Sequence, residues 1–180
     1  MRILIIGAGG VGTSAALIAA RRGFFEYCVV ADYDLSRAEG VVARTADPRF
    51  RAAAVDASDS EAVTALCREH GITHVLNVVD PRFVMPIFTG ALMAGVDYLD
   101  TAMSLSRPSP LDPHREVGVK LGDEQFAMAG EWEERGQLAL CGMGVEPGLA
   151  DVFARYAADH LVSSIDEIGI RDGANLVIEG

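Results

Sequence analysis

A chain of 180 residues is long enough for one domain, or for one domain and the start of another. Half of the residues are hydrophobic and 23% are charged, a globular balance with ample apolar surface for a core. A net charge of −11 argues against a nucleic-acid partner, which needs a basic footprint. No apolar run approaches the roughly 20 residues of a membrane span, so no membrane partner is expected either.

The chain opens on Ile3-Leu-Ile-Ile6, a β-branched run that suits a strand buried on both faces. Gly7, Gly9 and Gly12 follow at G-x-G-x-x-G spacing, ahead of a helix expected over 11–22 with Gly23 as its stop. In such a strand–turn–helix the glycines permit a tight turn and a close backbone approach, and the helix N-terminus attracts a pyrophosphate. Gly7, Ala8, Gly9, Gly10, Val11 and Gly12 are therefore the candidate phosphate-binding turn of a dinucleotide site. A second strand over 27–32 ends in Asp32, twenty positions after Gly12, where a carboxylate can accept a hydrogen bond from an adenosine ribose. Such an acid favours NAD. Arg37, on the helix that follows, either accommodates the 2′-phosphate of NADP or is an exposed helix-surface arginine.

A third strand, 50–55, leads to Asp56 and Ala57, placed where a loop passes an adenine ring, and Ser58 or Asp59 is suited to cap the next helix. The fourth strand, 72–79, carries Asn77 near its carboxyl end, where doubly wound sheets bind ligands. Asn77 is either a cofactor contact or a structural hydrogen-bonder, and Asp80 and Pro81 edge the same side. A helix over 84–95 and a fifth strand over 98–101 put Asp100 and Thr101 at the floor of that cleft. Alternation of strand and helix through residue 101 predicts an α/β fold, a Rossmann-type, doubly wound parallel sheet with right-handed crossovers. The proline-bearing stretch 102–122 reads as a long loop or lid. A helix over 123–135 and a strand over 137–141 follow.

The second informative stretch is Gly142-Met-Gly-Val-Glu-Pro-Gly-Leu-Ala150. Pro147 suits the first position of a helix over 148–161, whose N-terminus could receive a substrate carboxylate. A further strand is expected over 165–172, and no composition shift marks a linker before the end of the chain. Cys28, Cys67 and Cys141 are widely spaced in apolar segments, and neither they nor the four histidines have metal-ligand spacing, so no metal is expected. The N-terminus carries no signal-peptide pattern, and a cytoplasmic protein is expected.

The runs GAGGVG (7–12), VVADYD (29–34), NVVDP (77–81), YLDTA (98–102), ALCGMGVEPGLADVFARYAADHL (139–161) and EIGIRDGAN (167–175) together resemble the saccharopine dehydrogenase and saccharopine reductase-like family, with its carboxynorspermidine and lysine 6-dehydrogenase branches. Gly144, Pro147 and Gly148 match the family's G-x-x-P-G, with Glu146 where Asp is common. The resemblance implies a Rossmann domain over 1–161 and, over 162–180, the first strand of an inserted α/β domain that completes the substrate site and a homodimer contact. It also implies NAD(P)-dependent oxidation or formation of a C–N bond in a small amino-acid substrate. Asp100 and Glu146 are then the candidate catalytic groups, and Thr101, Gly144, Pro147 and Gly148 the candidate substrate residues. Glu146 has a second reading, a charge complementing a helix N-terminus. A non-catalytic dinucleotide sensor or scaffold is the alternative for the whole chain.

Overall fold

The computed structural model describes residues 1–171. Six strands form one sheet: β1 (Arg2–Ile6), β2 (Tyr27–Asp32), β3 (Phe50–Ala54), β4 (His74–Asn77), β5 (Asp97–Asp100) and the two-residue β6 (Ala139–Leu140). Their order is β3-β2-β1-β4-β5-β6 and every pairing is parallel, the expected doubly wound architecture. The helices are α1 (Gly10–Ala19), α2 (Leu35–Thr45), α3 (Ser60–Glu69), α4 (Val84–Ala94), α5 (Asp123–Phe126), α6 (Ala129–Glu134) and α7 (Leu149–His160). None of them is long and apolar enough to cross a membrane.

The continuous apolar run of β1 follows from its central place, because a strand covered on both faces alternates between two cores rather than between core and water. Ile5 packs with Cys28, Val30 and Phe50 against Ala16 of α1 and Ala38 and Val41 of α2. Leu4 and Ile6 face the other way, with Val29 and Val75, onto Val63 of α3 and Ile87 and Phe88 of α4. Trp132 of α6 joins this second cluster through Phe88, ring centroids 4.8 Å apart. The chain leaves β3 at one edge and re-enters beside β1 as β4. That crossing makes β1 and β4 the switch point, and it opens a crevice beyond their carboxyl ends.

Local signals set most boundaries. Asp34 caps α2 by accepting from Ser36 N–H at 2.9 Å, Asp59 caps α3, and Gly95 closes α4 in the left-handed region at φ 77°. The fourth and sixth strands are shorter than expected, and three other differences have a visible cause. Helix α1 stops at Ala19, not near Arg22, and Gly23 does not close it. Instead the Arg49 guanidinium, held by Asp47, donates to the carbonyls of Arg22 at 2.9 Å and Ala20 at 3.2 Å. The helix expected over 123–135 is two short helices, because Gly122 and Met128 each begin a separate one. The strand expected over 165–172 is not formed through Arg171, where Ile165, Ile168 and Ile170 stay exposed with no neighbouring strand among the described residues. Residues 172–180 lie outside the described residues.

Candidate functional site

The glycine turn sits at the carboxyl end of β1, where Gly7 adopts φ 112° and donates its N–H to Ala31 O at 2.8 Å. A Cβ at Gly12 would stand 1.8 Å from Gly7 O, so only glycine lets α1 close down on the turn. Gly9 and Gly10 are different, since a Cβ at either would meet no protein atom within 4 Å. Packing does not require glycine there, whereas close approach of a ligand does. No side chain caps α1 and no acid occupies its first turn, leaving its N-terminal N–H groups to the crevice.

Beside the turn lies a cleft of about 780 Å³ lined by Gly7, Gly9, Asp32, Arg37, Asp56, Ala57 and Asp80, all expected from sequence. Asp32 is 6% exposed, and both of its carboxylate oxygens accept backbone hydrogen bonds. Its Oδ2 accepts from Ala8 N–H at 2.8 Å, bracing the glycine turn, and its Oδ1 accepts from Asp34 N–H at 3.2 Å. Arg37 is exposed on α2, as one alternative had it, and it also borders the cleft. Its Nη1 lies 3.7 Å from Asp32 Oδ1 and its guanidinium stands over the Tyr33 ring, which places it on the cleft wall. Asp56 accepts from the N–H and hydroxyl of Ser58, and the hydroxyl bond first of all holds its carboxyl below the ordinary value. The apolar walls come from Tyr33, Val55, Val78, Val79 and Phe83. These were not singled out from sequence, although position just past β2, β3 and β4 was the signal that could have found them.

Asn77 takes the structural alternative. It is 2% exposed, its Nδ2 donates to Tyr98 Oη at 2.9 Å and its Oδ1 accepts from Val79 N–H at 3.2 Å. Asp100 is 1% exposed and serves as the hub of a closed network. Oδ2 accepts from Tyr98 Oη at 2.9 Å and Gln125 Nε2 at 2.7 Å, while Oδ1 accepts from Gly142 N–H at 2.6 Å. This arrangement ties β5 to α5 and to the turn after β6, and it leaves the carboxylate turned into protein rather than towards the cleft. Gln125, which completes the hub and also accepts from Ser104 N–H, carried no signal in the sequence.

The start of α7 departs from expectation most clearly. Gly148 N–H donates to Asp151 Oδ2 at 2.9 Å, Leu149 N–H to Gly144 O at 2.9 Å and Ala150 N–H to Val145 O at 3.0 Å. Those three donors are engaged, one by the Asp151 carboxylate and two by backbone carbonyls, so they are not free for the substrate carboxylate expected there. Gly144 serves close packing, since a Cβ there would lie 2.3 Å from Thr101 O, and Gly144 N–H donates to Pro147 O at 2.9 Å. Glu146 is exposed and stands outside the cleft lining.

Comparison with known proteins gives a consistent assignment. Residues 3–140 match the family model described as the saccharopine dehydrogenase NADP binding domain. A carboxyaminopropylagmatine dehydrogenase of Synechocystis sp. is 30% identical, over 95% of this chain and 41% of the relative. A carboxynorspermidine synthase of Vibrio alginolyticus is 30% identical over 96% of this chain and 43% of the relative. The chain thus spans about two fifths of the length of these curated relatives. Among solved structures, the apo saccharopine dehydrogenase (L-Glu forming) of Saccharomyces cerevisiae superposes with a TM-score of 0.67 over 89% of this chain and 31% of that chain, at 17% identity, a likeness of fold.

Proposed function

Because the chain belongs to the saccharopine dehydrogenase NADP-binding-domain family, we propose that it is the dinucleotide-binding part of an NAD(P)-dependent oxidoreductase that forms or oxidises a C–N bond of an amino acid. The observation that carries this reading is the cleft itself, with the uncapped start of α1 and the protein-free space over Gly9 at one place and the Asp32 carboxylate at the next. The α1 N-terminus and the backbone of Gly9 to Gly12 would hold the pyrophosphate, and Asp32 the adenosine ribose. Val55 and Ala57 offer an apolar wall to adenine, and Val78, Val79 and Phe83 one to the nicotinamide side. A bound nicotinamide supplies or accepts the hydride. The chain's own work is to bind and orient it and to exclude water with those apolar side chains.

The 30% identical relatives are named for carboxylated polyamine chemistry, which supports a lysine-derived or polyamine-related amino acid as substrate. Cys28, Cys67 and Cys141 are all free thiols, which supports a reducing, cytoplasmic setting. The exposed Val152, Phe153 and Tyr156 of α7 support a homodimer contact in a longer protein. Glu146 stays a candidate proton acceptor through its exposure near the start of α7.

Titration with NADH and NADPH, followed by nicotinamide fluorescence, tests the reading. At least one binds saturably, and Gly9→Val abolishes binding at a stability cost of about 1 kcal/mol, the cost of a poor residue at the α1 N-cap, since its Cβ meets no protein atom. Saturable binding that survives Gly9→Val removes the site from this cleft.

A further inference from the structure

The matched family is described by NADP, yet the groups at the adenosine end of this cleft are acidic. Asp32 at the end of β2 and Asp56 just past β3 line the cleft, and Asp34, outside that lining, heads α2. Arg37 is the single cation among the residues lining the cleft, and its charge is matched before any ligand arrives, by Asp32 at 3.7 Å and by the nearby Asp34. A helix N-terminus would be the other means of holding a 2′-phosphate. At α2 that means is used up, since Asp34 Oδ1 accepts both the N–H and the hydroxyl of Ser36 at 2.9 and 2.7 Å. A phosphate monoester brings about −1.5 to −2 charges into this ring. It would meet a nearly buried carboxylate, poorly screened by salt, that already braces Ala8 N–H and cannot turn away without loosening the glycine turn. A ribose 2′-hydroxyl instead donates to that carboxylate at no electrostatic cost.

We propose that the adenosine end of the cleft selects NAD(H) and excludes NADP(H), with Asp32 as the deciding residue and the Asp34-capped start of α2 as its support. The proposal rests on the reading of the cleft as a dinucleotide site and adds the identity of the dinucleotide. Arg37 is a partner of Asp32, not a phosphate reader.

The test is a parallel titration of the protein with NADH and NADPH at low and at moderate salt. NADH binds at least about tenfold tighter, a difference of roughly 1.4 kcal/mol, and the gap persists at moderate salt because the Asp32 carboxylate is nearly buried. Asp32→Asn keeps an oxygen for Ala8 N–H while removing the charge. It weakens NADH, strengthens NADPH, and brings the ratio to about one. Asp34→Ser, which retains a good helix cap, moves the ratio in the same direction without touching the glycine turn, so a folding defect in the first variant does not decide the matter. Arg37→Gln leaves the preference for NADH in place. Equal or tighter binding of NADPH by the unaltered protein overturns the proposal while leaving the dinucleotide site standing, as does a selective loss of NADPH in Arg37→Gln. Binding of neither nucleotide overturns both.

Discussion

Burial at 1% exposure raises the Asp100 carboxyl above its ordinary value, and donors from Gly142, Gln125 and Tyr98 oppose that rise without cancelling it. A carboxylate accepts from all three, whereas an amide has one oxygen and an NH₂ that would face donors. Asp100→Asn is therefore expected to cost about 1–3 kcal/mol, the usual penalty for buried donors left unmatched. The pH dependence carries a definite sign. The folded carboxyl holds its proton more tightly than the unfolded one, so the stability linked to Asp100 is complete below the ordinary carboxylate value. It is lost as pH rises through the raised one. The wild-type advantage over Asp100→Asn consequently narrows as pH climbs out of the acid range, and denaturant unfolding of both proteins at several pH values measures it. A gap that widens with pH would contradict this assignment. At the same scale, Asp32 shows that a carboxylate placed by spacing for a ribose can carry a structural bond as well, to Ala8 N–H.

Helix α1 is organised from both ends by residues outside it. At its start, Gly12 lies so close to Gly7 O that any side chain forces backbone from backbone. Gly12→Ala is expected to destabilise by about 1–3 kcal/mol, the range for overpacking, and to lose dinucleotide binding with it. Calorimetric melting alongside the titration checks both, and an unchanged melting temperature would show that α1 yields freely. At its end, Arg49 reaches in from the turn before β3 and stacks on Phe25, 4.2 Å to the ring centroid. Gly23 invited a different reading because a glycine after an apolar helix is the common local stop. The long-range cap from Arg49 has no local signature. Gln125 is a parallel case, since within its own segment it reads as one polar residue of a helix. Only the packing of α5 beside α4 places it within reach of Asp100.

Taken whole, the molecule joins a well-packed cofactor cleft to a C-terminal helix that is sparsely packed among the described residues. The sheet and four long helices bury two apolar clusters, whereas α7 buries none of its residues and exposes Val152, Phe153 and Tyr156. Asp100 is sealed within protein and Glu146 stands outside the cleft lining, so the chain by itself is expected to bind the dinucleotide and to leave amines unoxidised. Amine-dependent formation of NADH or NADPH would contradict this expectation. The Rossmann sheet, the glycine turn and the acid ending β2 were legible in the sequence because each depends on near neighbours: a buried strand needs a continuous apolar run, a tight turn needs glycine, and a βα unit fixes the spacing to the next strand end. The structural use of Asn77 and Asp100 depends on groups brought together from distant segments, Tyr98 for the first and Gln125 and Gly142 for the second. A side chain's direction and partners are set by what packs against it, and for these residues only the tertiary structure supplies that.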